Sequence, residues 1–185
     1  MLIKNVNCNP TRIGFIKILK KMNANIRIKN LKKKSGEHVG NIFVKSGSLK
    51  PINCPKELVS SAIDEFPLLF IIASVIKGVC KFSGINELRH KESDRIKNIE
   101  IGLNQIGIKT QSTIDSLKIF GNPNIKIEKT LEVYPKKDHR IAVSYVILGL
   151  LLEGRIKIHN CETINTSFPS FLKLIRKVGG KFEVK

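Results

Sequence analysis

Residues 66–84 read FPLLFIIASVIKGVCKFSG, and residues 140–160 read RIAVSYVILGLLLEGRIKIHN. Each stretch is strongly apolar over the length of a helix, then has a glycine (Gly78 or Gly154), then a short strand in which apolar and polar residues alternate. Because the helical parts are apolar on nearly all sides, both helices are predicted to be buried. The spacing of roughly 75–80 residues is longer than the ~20–50 residues of a solenoid repeat, which favours duplicated small α/β subdomains.

A second element recurs at residues 11–28, 92–111 and 166–184. Each segment begins with a polar cluster and continues as an amphipathic helix. Each helix is predicted to end at a residue that tolerates a left-handed backbone, and a strand is predicted to follow. The three predicted helix ends are Asn23, Gly107 and Gly179.

Helices that alternate with short strands predict an α/β fold. We interpret the chain as one domain, residues 1–185, with a partial repeat at 1–60, a repeat at 61–135 and a partial repeat at 136–185. Since the chain opens and closes inside a unit, we expect a piece of a longer protein. The alternative is a natural short form that completes itself by dimerising.

The composition of the 185 residues favours anionic partners. Lys and Arg outnumber Asp and Glu by 33 to 15, for a net charge of +18. A general abundance of lysine explains the charge equally well. The four cysteines form no CxxC pair, and no apolar stretch resembles a signal peptide or a membrane span. We therefore expect a cytoplasmic protein with free thiols and no membrane contact.

Three predicted helix starts carry an arginine: Arg12, Arg95 and Arg140. A cation is unfavourable at the positive end of a helix dipole, unless it binds an anion together with the free N–H groups there. Arginine is suited to this because its fork matches phosphate and carboxylate. The alternative is local salt bridging with neighbouring acids. His139 has no obvious partner in the sequence and receives no catalytic role.

Carboxylates accompany these arginines. Asp64 stands just before the first buried helix, and Glu92 lies between Lys91 and Arg95. Such an acid is either a helix cap or a general acid or base. If the repeats pack side by side, Asp64, Lys91, Glu92, Arg95 and Arg140 converge at one end of the layers, with cations for an anionic substrate and carboxylates for proton transfer.

Five motifs occur along the chain: NPTR at 9–12, IDEFP at 63–67, ELRHKESDRI at 87–96, DHRIAVS at 138–144 and NTSFPSF at 165–171. Together they resemble the family of 5-enolpyruvylshikimate-3-phosphate synthases, also called 3-phosphoshikimate 1-carboxyvinyltransferases, over essentially the whole chain. The resemblance is to the C-terminal part of that family. It implies two domains of βαβαββ units in pseudo-threefold arrangement, of which this chain would hold one enolpyruvyl transferase-like domain, incomplete at its N-terminus.

The resemblance also implies a reaction: transfer of the enolpyruvyl group of phosphoenolpyruvate to the 5-hydroxyl of shikimate 3-phosphate, without metal or organic cofactor. It gives Asp64 the role of proton acceptor that also contacts the sugar hydroxyls, and Lys91 a contact with shikimate 3-phosphate. Glu92 would transfer the proton at the methylene carbon. Arg95 and Arg140 would hold phosphoenolpyruvate.

The chain departs from the family pattern in places. Thr166 stands where some members carry a lysine, and His90 replaces an apolar residue. The family's other substrate contacts lie outside this chain, so we expect little activity from it without the N-terminal half, in cis or in trans. The alternative functions are a basic nucleic-acid-binding α/β module, whose RNA binding would weaken steeply with salt, and a degenerate or separately encoded half that pairs with another chain.

Overall fold

The computed structural model describes residues 1–184 in three successive units. Unit 1 contains β1 (Leu2–Asn7), α1 (Gly14–Lys21), β2 (Asn25–Lys34) and β3 (Glu37–Lys45). Unit 2 contains α2 (Phe66–Ser74), β4 (Gly78–Ser83), α3 (Arg95–Gln105), β5 (Thr110–Ser112) and β6 (Ser116–Gly121). Unit 3 contains β7 (Leu131–Val133), α4 (His139–Leu151), β8 (Ile156–Ile158), α5 (Thr163–Ser167) and α6 (Phe171–Lys177). Short 3-10 turns at Lys56–Leu58, Ser60–Glu65 and Asn86–His90 connect unit 1 to α2, and β4 to α3.

Units 1 and 2 share one sheet topology. The strand orders are β1-β3-β2 and β4-β6-β5, with every pair antiparallel. The outer strands of each sheet are therefore parallel to each other, and α1 or α3 connects them.

The first half of the unit is a parallel crossover around a buried helix. In unit 3, β7 and β8 pair in parallel on either side of α4. In unit 2, Asn53 forms a parallel bridge with Lys81 of β4 on either side of α2. The order of elements in unit 2 is thus βαβαββ, and the predicted α/β fold of repeated units is confirmed.

The two apolar helices form the centre of the core, as predicted. In α2, Phe66 and Phe70 are fully buried and pack edge to face with each other and with Phe82 of β4. The prediction is wrong for the last turn of α4, where Leu150 and Leu151 are 40% and 49% exposed. Residues 1–184 cover that turn only in part. No helix of the described chain is long and apolar enough to span a membrane.

The three predicted helix ends are confirmed by the backbone: Asn23, Gly107 and Gly179 all have positive φ angles, of 69°, 84° and 93°. The third amphipathic segment differs from the prediction in two respects. It forms two short helices, α5 and α6, with Pro169 in the break between them. A proline inside a helix removes a backbone hydrogen bond and clashes with the preceding turn. No strand follows Gly179 in the described residues.

A close contact joins α3 to α4. Tyr145 is fully buried and its hydroxyl donates to the backbone carbonyls of Asn98 and Ile99. Gly102 faces this ring, and a β-carbon at that position would lie 2.0 Å from the Tyr145 hydroxyl oxygen. The absence of a side chain at Gly102 therefore sets how closely the two helices approach.

We expect Gly102→Ala to lower the free energy of unfolding by about 1–3 kcal/mol, because the added methyl must displace a buried tyrosine. The measurement is urea denaturation followed by circular dichroism. The matched control is Gly149→Ala in α4, where a β-carbon would make an ordinary 3.6 Å contact with Ile156. That change should stabilise the protein by about 0.5–1 kcal/mol, since alanine suits a helix interior better. A Gly102→Ala protein as stable as the wild type would contradict the expectation.

Candidate active site

Asp64 lies in the 3-10 turn Ser60–Glu65, directly before α2, as the sequence predicted. The turn packs tightly on unit 1: a β-carbon on Gly14 would lie 2.2 Å from the Ser61 hydroxyl oxygen. Glycine at this position lets the turn that carries Arg12 approach the turn that carries Asp64. The Nη2 atom of Arg12 consequently lies 3.4 Å from Oδ2 of Asp64.

Three arginines, one from each unit, surround the Asp64 carboxylate. Besides Arg12, Nη2 of Arg140 lies 3.3 Å from Oδ2 of Asp64, and Nη1 of Arg95 lies 3.7 Å from Oδ1. Arg140 also reaches Oε1 of Glu65 at 3.3 Å and donates to the backbone carbonyl of Asp64. The three arginines noted at helix starts thus meet at one point.

Arg95 is almost fully buried, with 1% of its side chain exposed, and Asp138 behind it is fully buried. Nε of Arg95 donates to Oδ2 of Asp138 at 2.9 Å. Asp138 also accepts from the Ser93 hydroxyl and from the backbone N–H groups of Arg140 and Ile141, and so caps α4. A single buried carboxylate therefore orients Arg95 and starts the helix that carries Arg140.

Asp138 was not selected as a site residue from the sequence. Its position before the buried helix α4 is a recognisable N-cap signal. Its pairing with Arg95 has no such signal, because the two residues are 43 positions apart and in different units.

Two neighbouring charged residues of the KESDR segment, residues 91–95, have different partners. Glu92, half exposed, pairs with Nη2 of Arg95 and so joins the cluster. Lys91 instead forms an ion pair with Glu87, one helical turn earlier. Four of the five residues selected from the sequence therefore lie in one ion-pair network, while Lys91 is adjacent in the chain and directed to Glu87. The four residues in the network are Asp64, Glu92, Arg95 and Arg140.

Opposing effects act on the Asp64 carboxyl. Partial burial raises its pKa, but Arg140, the hydrogen bond from Arg12, and Arg95 together lower the pKa below its usual range. Asp64 is therefore ionised at neutral pH.

A cavity of about 200 Å³ opens beside this cluster. Its walls come from the turn before α2, from α4 and from the segment 163–171, and they include His139, which has no assigned role. A larger cavity of about 630 Å³ lies near the other end of α3 and contains none of the predicted site residues. Residues 1–184 hold no group of three His, Cys, Asp or Glu side chains placed to bind a metal ion. The smaller cavity is lined by Asp64, Glu65, Leu68, His139, Arg140, Val143, Ser144, Ser167 and Phe168.

Comparison with known proteins gives one consistent family. The family model for EPSP synthase (3-phosphoshikimate 1-carboxyvinyltransferase) matches residues 1–175. The 3-phosphoshikimate 1-carboxyvinyltransferase of Petrotoga mobilis is 43% identical over 178 residues, which cover 96% of this chain and 41% of that protein. The protein of the same name from Halorhodospira halophila is 39% identical and covers 100% of this chain and 41% of its own length.

Solved structures agree. An EPSP synthase from Acinetobacter baumannii superimposes with a TM-score of 0.92 at 40% identity, over 100% of this chain and 42% of that one. The enolpyruvyl transferase NikO from Streptomyces tendae superimposes with a TM-score of 0.66 at 15% identity, which shows a shared fold. The chain spans about two fifths of the length of the relatives it matches. On its sequence motifs, its repeated α/β units and these matches, the chain belongs to the EPSP synthase family.

Proposed function

We propose that this chain supplies one part of an active site that transfers the enolpyruvyl group of phosphoenolpyruvate to the 5-hydroxyl of shikimate 3-phosphate and releases phosphate. The observation that carries the proposal is the meeting of Arg95 and Arg140 with the carboxylates of Asp64 and Glu92 in one network. The reaction belongs to the shikimate pathway, which leads to chorismate and the aromatic amino acids, and we place it in the cytoplasm.

The arginines suit an anionic substrate. Phosphoenolpyruvate carries a carboxylate and a phosphate, and each matches the planar fork of a guanidinium. Arg95 is held from behind by Asp138, so its remaining donors have a fixed direction. Arg140 is held by Glu65 and by the backbone carbonyl of Asp64. Two oriented forks would position the reacting carbon and stabilise charge that develops during addition.

The carboxylates suit the two proton transfers. Addition forms a bond from the 5-hydroxyl oxygen to the central carbon of phosphoenolpyruvate, while a proton joins the methylene carbon. Elimination then breaks the bond to phosphate and removes a proton from the methyl group formed. We assign the proton at carbon to Glu92, and the hydroxyl proton to Asp64. The two carboxylates have different surroundings: Glu92 is half exposed, whereas Asp64 lies among three arginines.

Shikimate 3-phosphate would depend on residues outside this chain as well. Lys91 is the residue here that we assign to it, and in this structure its ammonium is paired with Glu87. Because the chain spans about two fifths of its relatives, we propose that the N-terminal part of the enzyme, in cis or in trans, completes the site.

The first test is turnover. The chain alone, given both substrates, should release little or no phosphate, whereas a chimera that joins it to the N-terminal part of the Petrotoga mobilis relative should be active. Coupled detection of inorganic phosphate measures both. Family-like turnover by the chain alone would contradict the need for a second part. An inactive but folded chimera would contradict the proposed function.

In the active chimera, Arg140→Gln should lower kcat/KM for phosphoenolpyruvate by about 10–100-fold, since a hydrogen bond to a charged group contributes about 1.5–3 kcal/mol. The matched control is Lys126→Gln, which removes one positive charge from a side chain that is 71% exposed and pairs with Glu153. Steady-state kinetics with phosphoenolpyruvate varied gives the comparison. Equal losses in the two variants would mean that net charge, and not the position of Arg140, sets the affinity.

Asp138→Asn should destabilise this chain by about 3–5 kcal/mol, because it leaves the buried Arg95 without its fully buried counter-charge. Asparagine is as good an N-cap as aspartate, so the loss reports the charge and not the cap. Urea denaturation measures the change, with Glu153→Gln as a control on an 85% exposed carboxylate that should change stability little. A small effect of Asp138→Asn would show that Glu92 and Asp64 are sufficient partners for Arg95.

A further inference from the structure

We propose that the outward faces of the two three-stranded sheets, β1-β3-β2 and β4-β6-β5, bind single-stranded nucleic acid; these two surfaces are the platform faces. Phe43 and Phe120 would stack on bases, and the basic side chains around them would contact phosphates. The binding is additional to the proposed transfer reaction, since no hydrogen bond or ion pair of the described residues links the platform side chains to the arginine cluster.

Alternation along the central strands places both phenylalanines on the side away from the core. In β3, Ile42 is buried in the core, while its neighbour Phe43 is 37% exposed. In β6, Ile119 is fully buried, and Phe120 follows it on the opposite face and is partly exposed. Successive side chains of a strand point to opposite faces of a sheet. Since β3 and β6 are the middle strands of their sheets, each ring lies near the centre of a platform face.

The two platform faces repeat one arrangement. A lysine lies over each ring: Nζ of Lys29 is 5.4 Å from the ring centroid of Phe43, and Nζ of Lys109 is 5.2 Å from that of Phe120. An exposed aromatic ring beside cations is the combination that binds single strands, because every base has a π-face and every nucleotide has a phosphate. Across the strands, each phenylalanine also lies between a basic and an aliphatic residue, in the rows Arg27–Phe43–Leu2 and Lys109–Phe120–Val79.

The cations of the platform faces lack a carboxylate partner. None of the six forms an ion pair within residues 1–184, and the strands β1 to β6 contain a single acidic residue, Glu37, at the hairpin end of β3. A polyanion gains there from attraction and from release of its condensed counterions, without first breaking a salt bridge. The six cations are Arg27, Lys29, Lys45, Lys81, Lys109 and Lys118.

A protective role explains only part of this charge. Lysines on an edge strand prevent pairing with other sheets, and Lys32, Lys33 and Lys34 of the edge strand β2 fit that role. Lys45 and Lys118, however, lie on middle strands, which are paired on both sides. An acidic protein partner would account for the cations but gives no role to an exposed phenylalanine beneath a lysine. Unpaired bases account for both, whereas a duplex keeps its bases stacked inside.

The test is fluorescence anisotropy of a labelled oligouridylate of about 12 nucleotides, titrated with the chain at low ionic strength. Phe43→Ala should weaken binding about five- to fiftyfold, since stacking of one base on an aromatic ring contributes that much. Ile101→Ala is the matched control, because it truncates a 46% exposed apolar side chain on α3. Equal affinities of the two variants overturn the proposal, and so does a duplex RNA of the same length that binds as tightly as the single strand.

Salt dependence provides a second test on an exposed side chain. Three cations surround Phe43, and each neutralised phosphate contributes about −0.7 to the slope of log affinity against log salt, so a slope of about −2 or steeper is expected. Lys29→Gln should reduce the slope by about 0.7, and Lys173→Gln, at an exposed position of α6, should leave it unchanged. Equal slopes in these two variants overturn the role of the platform face, also if Phe43→Ala fails to fold.

The two tests together identify the partner. A loss of affinity in Lys29→Gln with none in Phe43→Ala means a purely electrostatic surface, as for an acidic protein, and overturns the stacking of bases. The binding is also separable from the transfer reaction. In an active chimera, Phe43→Ala should leave kcat/KM for phosphoenolpyruvate unchanged, and an inactive chimera leaves the anisotropy test intact.

Discussion

The buried ion pair between Arg95 and Asp138 is the interaction on which the site depends. Removing two charges from water is expensive, and further hydrogen bonds to the charged groups offset part of the cost. Asp138 receives them from Ser93, Arg95 and two backbone N–H groups at the start of α4. Because the pair joins units 2 and 3, it holds the first turns of α3 and α4 together.

Repetition of the unit explains why the charges gather at one end. Each unit presents a helix start beside the same region, and helix starts offer positive potential and free N–H groups. Gly14 and Ser61 bring the turn of unit 1 to the same place, which adds Arg12. The arginines then oppose the helix dipoles, a cost that the carboxylates of the cluster offset. The result is a cluster of arginines and carboxylates whose charges nearly balance.

Much of this arrangement follows from the sequence, because the signals are local. Apolar runs predicted the buried helices, Asn23, Gly107 and Gly179 predicted the helix ends, and polar residues before the helices indicated the site. Features that depend on distant contacts were not predictable. The pairing of Arg95 with Asp138, 43 positions apart, is one. The same holds for the exposed last turn of α4, since apolar residues alone do not reveal what covers them.

The two ends of α4 differ in burial, and the arginine cluster lies at the more buried end. At its start, Asp138, Ile141 and Tyr145 are fully buried. At its end, apolar side chains are exposed, as they also are on α6. Local opening is easiest where few apolar contacts must break, so fluctuations should concentrate at the end of α4 and on α6. The backbone of Arg140, in the first turn, is fixed by the contacts of Asp138 and Tyr145, which join α4 to α3. The positions of Arg95 and of the start of α4 therefore depend on a fully buried part of the molecule.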